Sequence, residues 1–68
     1  MSHHTYKHTE ITGSSEVSSD DAVNNAIETA SKSVKNMGWF EVLETRGHIV
    51  DGTVKYWQVT IKVGFRLE

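Results

Sequence analysis

The sequence predicts an α+β domain in which a three-stranded antiparallel sheet, order 1-3-2, packs on one amphipathic helix. Three observations lead there. Val23, Ala26, Ile27, Ala30, Val34 and Met37 recur at helical spacing. Two long β-rich runs flank Asp51-Gly52, a two-residue hairpin signal. The second of these runs alternates: Trp57, Val59, Ile61, Val63, Phe65 and Leu67 point one way, and Gln58, Thr60, Lys62 and Arg66 the other.

A short first strand is expected over Tyr6–Thr12, closed by Gly13-Ser14-Ser15. The helix is expected over Ser19–Met37. Ser18 can cap its free amides, with Asp21 completing a capping-box pattern. Asp20 and Asp21 suit the positive end of the helix dipole, Lys32 and Lys35 the negative end. Gly38 supplies a left-handed stop. The long strands span Trp39–Val50 and Thr53–Leu67. A tight turn pairs Val50 with Thr53, and a regular ladder then sets Trp39 opposite Gly64, Glu41 opposite Lys62 and Thr45 opposite Gln58. On the other face Phe40 meets Val63 and Val42 meets Ile61, and that face covers the helix stripe. The first two strands run the same way, so an all-antiparallel sheet needs the third, most apolar strand in the middle.

Sixty-eight residues argue for one domain, 1–68, with residues 1–4 as a loose tail. A chain this short buries only about 60% of its unfolded surface. It has no cysteine for a disulfide or thiolate metal site, and no proline, which leaves oligomerisation as the common route to more burial. A net charge of −2 without a basic, aromatic-interleaved block argues against nucleic-acid and membrane partners. No apolar run approaches the ~20 residues of a membrane span. Met1–Lys7 lacks the apolar stretch of a secretory signal, so a cytoplasmic location is expected. His3, His4 and His8 read as a frayed end, not a metal site. No nucleophile elbow, glycine-rich dinucleotide motif or phosphate loop is present. In a regular strand Glu41 and Glu44 lie on opposite faces and make no local acid pair. No catalytic residue is assigned.

The polar face of the hairpin carries the candidate site. Trp39 lies there opposite Gly64, which leaves open space beside an aromatic plate. Such a plate stacks a ligand, packs against another protomer or simply covers the sheet. Gln58 shares the face. Its amide offers a donor and an acceptor side by side, suited to a planar imide edge or simply to water. Position 64 is six residues from position 58, about 20 Å along a strand. One flat ring system cannot meet both side chains in one chain, so two protomers would have to supply them. Arg46 interrupts the inward alternation of its strand, and Arg66 points outward near the C-terminus. Either guanidinium suits a phosphate or a neighbouring carboxylate.

Together, Gly13-Ser14-Ser15, the alanine-bearing helix, Gly38-Trp39-Phe40-Glu41-Val42, the stretch Arg46 to Gly52 and the run from Gln58 to Glu68 resemble a bacterial dodecin, from Tyr6 onward. The resemblance implies a hollow dodecamer with flavins stacked in pairs between protomers. It implies that Trp39 closes the stack, Gln58 binds the isoalloxazine edge and Arg46 stands beside the flavin, with Arg66 matching a further bacterial arginine. It implies FMN (or riboflavin) as ligand, coenzyme A in some members, and flavin storage and photoprotection as the role. His8, Thr9 and Thr12 depart from the pattern, where the family usually has apolar residues. Two other readings stay open: a flavin-dependent redox enzyme, for which the sequence offers no substrate-pocket residues, and a structural shell without ligand.

Overall fold

The computed structural model describes residues 4–67. The expected loose tail therefore lies outside the described residues except for His4, which is exposed. Strand β1 spans Tyr6–Ser15, helix α1 Ser19–Ala30, strand β2 Met37–Val50 and strand β3 Thr53–Arg66. The sheet order is β1-β3-β2 with both pairs antiparallel. The predicted fold class is the observed one, with β3 in the middle.

Four boundaries differ: the ends of β1, α1 and β3, and the start of β2. Strand β1 runs through Gly13-Ser14-Ser15 instead of ending there. Ser15 is buried and pinned: its hydroxyl donates to Asp21 Oδ2 at 2.6 Å and accepts from the amides of Val17 and Ser18. The capping box is accordingly half-formed. Ser18 Oγ accepts from the Asp21 amide at 3.0 Å, while the Asp21 carboxylate is taken by Ser15 and Asn25.

The helix ends at Ala30, not Met37. The amides of Ser31, Lys32, Ser33 and Val34 turn back on the carbonyls of Ile27, Thr29 and Ala30, and the Ser31 and Ser33 hydroxyls take Glu28 and Ala30 carbonyls. Serines in series offer the backbone these local alternatives to a continuing helix. The left-handed residue is then Asn36, at φ 64, and not Gly38, which lies inside β2. Lys32 and Lys35 fall beyond the last turn, and Met37 reaches the core from β2. Strand β3 stops at Arg66, one residue short of Leu67.

The core is Ala22, Ala26, Val59, Ile61 and Val63, with Ile11, Val23, Ile27 and Met37 packed around it. Ala22 is fully buried although it lies outside the predicted stripe. A Cβ on Gly13 would overlap the Ala22 carbonyl and come within 2.7 Å of Ala26 Cβ, so the missing side chain is what lets the helix lie close on β1. The helix packs on β1 and β3, not across the whole sheet. Twelve helical residues reach about 18 Å, whereas strands of 14 residues run about 48 Å. Phe40 and Val42 on the edge strand therefore stay 48% and 47% exposed. Trp57 shares the helix side with Val59 but is half-buried and outside the core cluster.

The ladder ends are as predicted: Val50 pairs with Thr53, Trp39 with Gly64, Phe40 with Val63, Glu41 with Lys62 and Val42 with Ile61. The middle is not. Leu43 is skipped on β2 and Lys55 on β3, so between these irregularities Thr45 faces Val59 and Arg46 faces Gln58. A regular ladder would have turned Glu44 and Arg46 toward the apolar side. The bulge turns both to the polar face, where charge costs less.

Candidate binding face

The side of the sheet away from the helix is a series of rows, each read across the register. At one end stands the row His8–Gly64–Trp39. Gly64 is buried, and a Cβ there would overlap indole atoms Cε2, Cζ2 and Nε1 of Trp39. Three ring atoms over one glycine mean that the indole lies on the sheet, filling the space that the sequence leaves open. Its outer side remains available, the residue being 42% exposed.

Next come Glu10–Lys62–Glu41 and Thr12–Thr60–Glu44. Lys62 Nζ lies 3.8 Å from Glu41 Oε1, and the Thr12 and Thr60 hydroxyls are 2.9 Å apart. Glu41 and Glu44 thus share a face, contrary to the expectation from strict alternation, because Leu43 is bulged between them.

The fourth row is Ser14–Gln58–Arg46. Arg46 Nε donates to Gln58 Oε1 at 3.2 Å. Arg46 therefore sits on the polar face beside Gln58, not on the inward side. The bond fixes the amide's orientation and leaves its two Nε2 protons and a second Oε1 lone pair for another partner. An open depression of about 450 Å³, lined by Ser14, Ser15, Glu16, Tyr56 and Gln58, adjoins it. Beyond lies the pair His48–Tyr56, with rings stacked at 5.3 Å and 8°. Sequence reading missed this pair, because only the bulged register sets the two opposite each other.

Arg66 lies at the other end of the face, opposite Tyr6 and bordering a depression of about 200 Å³ with Tyr6, Asn36, Met37 and Gly38. The structure thus brings Arg46 and Gln58 together and sets Arg66 at the Trp39 end. The Trp39 and Gln58 rows are six β3 residues apart, about 20 Å. One end can stack a flat ring and the other can hydrogen-bond a planar polar edge, but one chain cannot apply both to the same ring. Two copies with opposed rows can. A flat heteroaromatic with an imide edge suits this residue set: the Gly64 cradle fixes the indole plate, and the held amide is complementary to an imide.

Among the described residues no group of three or more histidine, cysteine, aspartate or glutamate side chains could hold a metal ion. No described helix is long and apolar enough to cross a membrane.

The Dodecin family profile matches residues 5–68. The chain is 44% identical to the dodecin of Thermus thermophilus over 93% of its own length and 91% of the relative's. Its fold superimposes on the dodecin of Streptomyces davaonensis with a TM-score of 0.93 at 51% identity, over 98% of each chain. The Streptomyces coelicolor dodecin gives the same score and identity over 100% of this chain and 97% of that one. A tryptophan-to-phenylalanine variant of the Thermus thermophilus dodecin superimposes at 0.91 with 41% identity, covering 97% of this chain and 98% of the other. Fold, length and sequence agree across these comparisons, and the chain belongs to the dodecin family.

Proposed function

We propose that the chain is a non-enzymatic flavin-storage protein. Copies assemble into a hollow dodecamer that holds stacked flavins between protomers, buffers them and quenches their photochemistry. The observation that supports this most is the indole of Trp39 laid over Gly64 with its outer side open.

In this reading Trp39 stacks on the ring, and Gln58 of a neighbouring copy meets the imide edge. Arg46 holds the Gln58 amide in place. Arg66 offers a guanidinium to a phosphate, which favours FMN over riboflavin and extends to coenzyme A as a second ligand. A bound flavin supplies a photoexcitable, redox-active ring. The chain's contribution is to bind, orient and shield it. The uncovered apolar strip of β2 gives the chain a reason to assemble.

The test is to purify the protein, unfold it, and identify the released small molecules by mass spectrometry and absorbance, with sedimentation of the native protein alongside. FMN or riboflavin released from a species far larger than a dimer is the expected result. A colourless protein that fails to quench added FMN would instead make this an empty shell. Steady turnover of bound flavin with a nicotinamide donor would make it an enzyme.

A further inference from the structure

Trp39 is not alone in its row. The register sets His8 opposite Gly64 from the β1 side while Trp39 stands opposite it from β2. The hydroxyl bond between Thr12 and Thr60 places the even-numbered β1 positions, His8 included, on the same face as Gln58 and Trp39. Gly64 has no side chain, and the indole occupies its space. The next side chain along the row, one strand spacing of about 4.8 Å further, is the exposed imidazole of His8.

A ligand that stacks on Trp39 and is longer than an indole reaches past it, and along the row the next side chain is His8. The isoalloxazine system has three fused rings and the indole two. An uncharged ring laid over His8 removes water from the imidazole and supplies no counter-charge, which disfavours the protonated form. The charged and titratable groups facing His8 do not overrule this. Tyr6 and Glu10 flank it on β1, Lys62 and Arg66 flank Gly64 on β3, and Glu41 follows Trp39 on β2, already near Lys62 at 3.8 Å. Two acids and two bases leave no strong local field of either sign.

We propose that His8 is a proton-sensitive element of the Trp39 site, which releases the stacked ligand when its imidazole becomes charged. The sign follows from linkage. A ligand that covers His8 best when it is neutral drives off its proton on binding, so affinity is full at the alkaline side and falls as pH drops through the histidine range. This inference rests on the flavin reading above and adds to it a release condition carried by this chain's own side chain.

Riboflavin is the probe, because it has no phosphate whose charge changes in the same range. Its Kd is measured by fluorescence quenching at about pH 8 and about pH 5, with sedimentation at both to confirm that the assembly persists. A rise of about tenfold at the lower pH is expected from this linkage. His8→Phe and His8→Gln should each flatten that profile. His48 is the imidazole beside the Arg46–Gln58 row, and His48→Asn should keep the fall. If both His8 variants keep the full pH dependence, the proposal is wrong while the flavin reading stands. If riboflavin binds at neither pH, both fall together. Should either variant fail to assemble, the His8 resonances of the parent protein decide. The His8 imidazole resonances, followed by NMR with and without riboflavin, should titrate at lower pH in the loaded protein, and identical curves would overturn the proposal.

Discussion

Arg46 donates its Nε proton to Oε1 of Gln58 across 3.2 Å, and the two residues face each other because Leu43 is bulged out of the β2–β3 ladder. A free glutamine amide rotates and presents its donor and acceptor in any order. This one is held with Oε1 toward Arg46, so its Nε2 protons point to a partner elsewhere.

Removing the held amide tests its part in recognition. Gln58→Ala should weaken flavin binding by about 1–3 kcal/mol, the cost of leaving buried imide groups unpaired, with the assembly intact by sedimentation. Arg46→Lys keeps the charge but loses the directed Nε donor, and should fall between parent and Gln58→Ala. Equal affinities for all three would make both residues surface polar groups.

The indole carries two effects that should vanish together. Trp39→Ala should lower flavin affinity, with stacking worth about 0.5–1.5 kcal/mol per indole beyond area burial, and leave residual bound flavin brighter. Trp39→Phe should restore part of the stacking and less of the quenching, since a phenyl ring is harder to oxidise. Trp57→Phe is the control: it lies on the other face, so affinity and brightness should both hold. Titration with flavin fluorescence reads all three.

Gly64 reports on the cradle without touching the aromatic. Gly64→Ala puts a Cβ where Cε2 and Cζ2 of Trp39 now lie. The indole must lift, so flavin affinity should drop toward that of Trp39→Ala, with about 1–3 kcal/mol of destabilisation from overpacking. Parent-like binding by Gly64→Ala would show that the ring's seat on the sheet is irrelevant to the ligand.

Phosphate recognition separates from ring recognition. If Arg66 or Arg46 meets the phosphate, FMN should bind more tightly than riboflavin, and added salt should narrow the difference. Calorimetry with Arg66→Ala and Arg46→Ala assigns the contact. Equal affinities of the two flavins at low salt would give both arginines to protein contacts.

Packing on the opposite face has its own test. Gly13→Ala should cost about 1–3 kcal/mol, because its methyl group meets the Ala22 carbonyl and Ala26 Cβ, neither of which is a flexible side-chain end. Thermal unfolding measures it. An unchanged midpoint would mean that the helix shifts freely on β1.

Much of this architecture was legible in the residues. The alternation of β3, the Asp51-Gly52 turn and the helical stripe sufficed for element order, strand order and both ends of the ladder. What was not legible depends on choices between nearly equal local options. Ser31 and Ser33 hydroxyls ended the helix at Ala30, where periodicity alone ran on to Met37. Gly13-Ser14-Ser15 looked like a stop and became the last rungs of β1, because Ser15 found partners in the following turn. In the site, Trp39 opposite Gly64 followed from the turn. Arg46 opposite Gln58 did not, since a bulge leaves no mark in a strand's composition. His8 joined the Trp39 row only through the β1–β3 register, which no short turn dictates.

Of the three residues skipped in the β2–β3 ladder, Leu43 and Lys55 lie on opposite strands and cancel, so the turn and the Trp39 row keep the pairing of a regular hairpin. Between those two irregularities Glu44, Arg46 and His48 meet Thr60, Gln58 and Tyr56. The amide end of the face therefore depends on the bulges, whereas the indole end depends on the turn alone. Excising Leu43 and Lys55 together would leave a shorter hairpin, regular from the Trp39 row to the turn, in which Arg46 opposite Gln58 is the ordinary pairing.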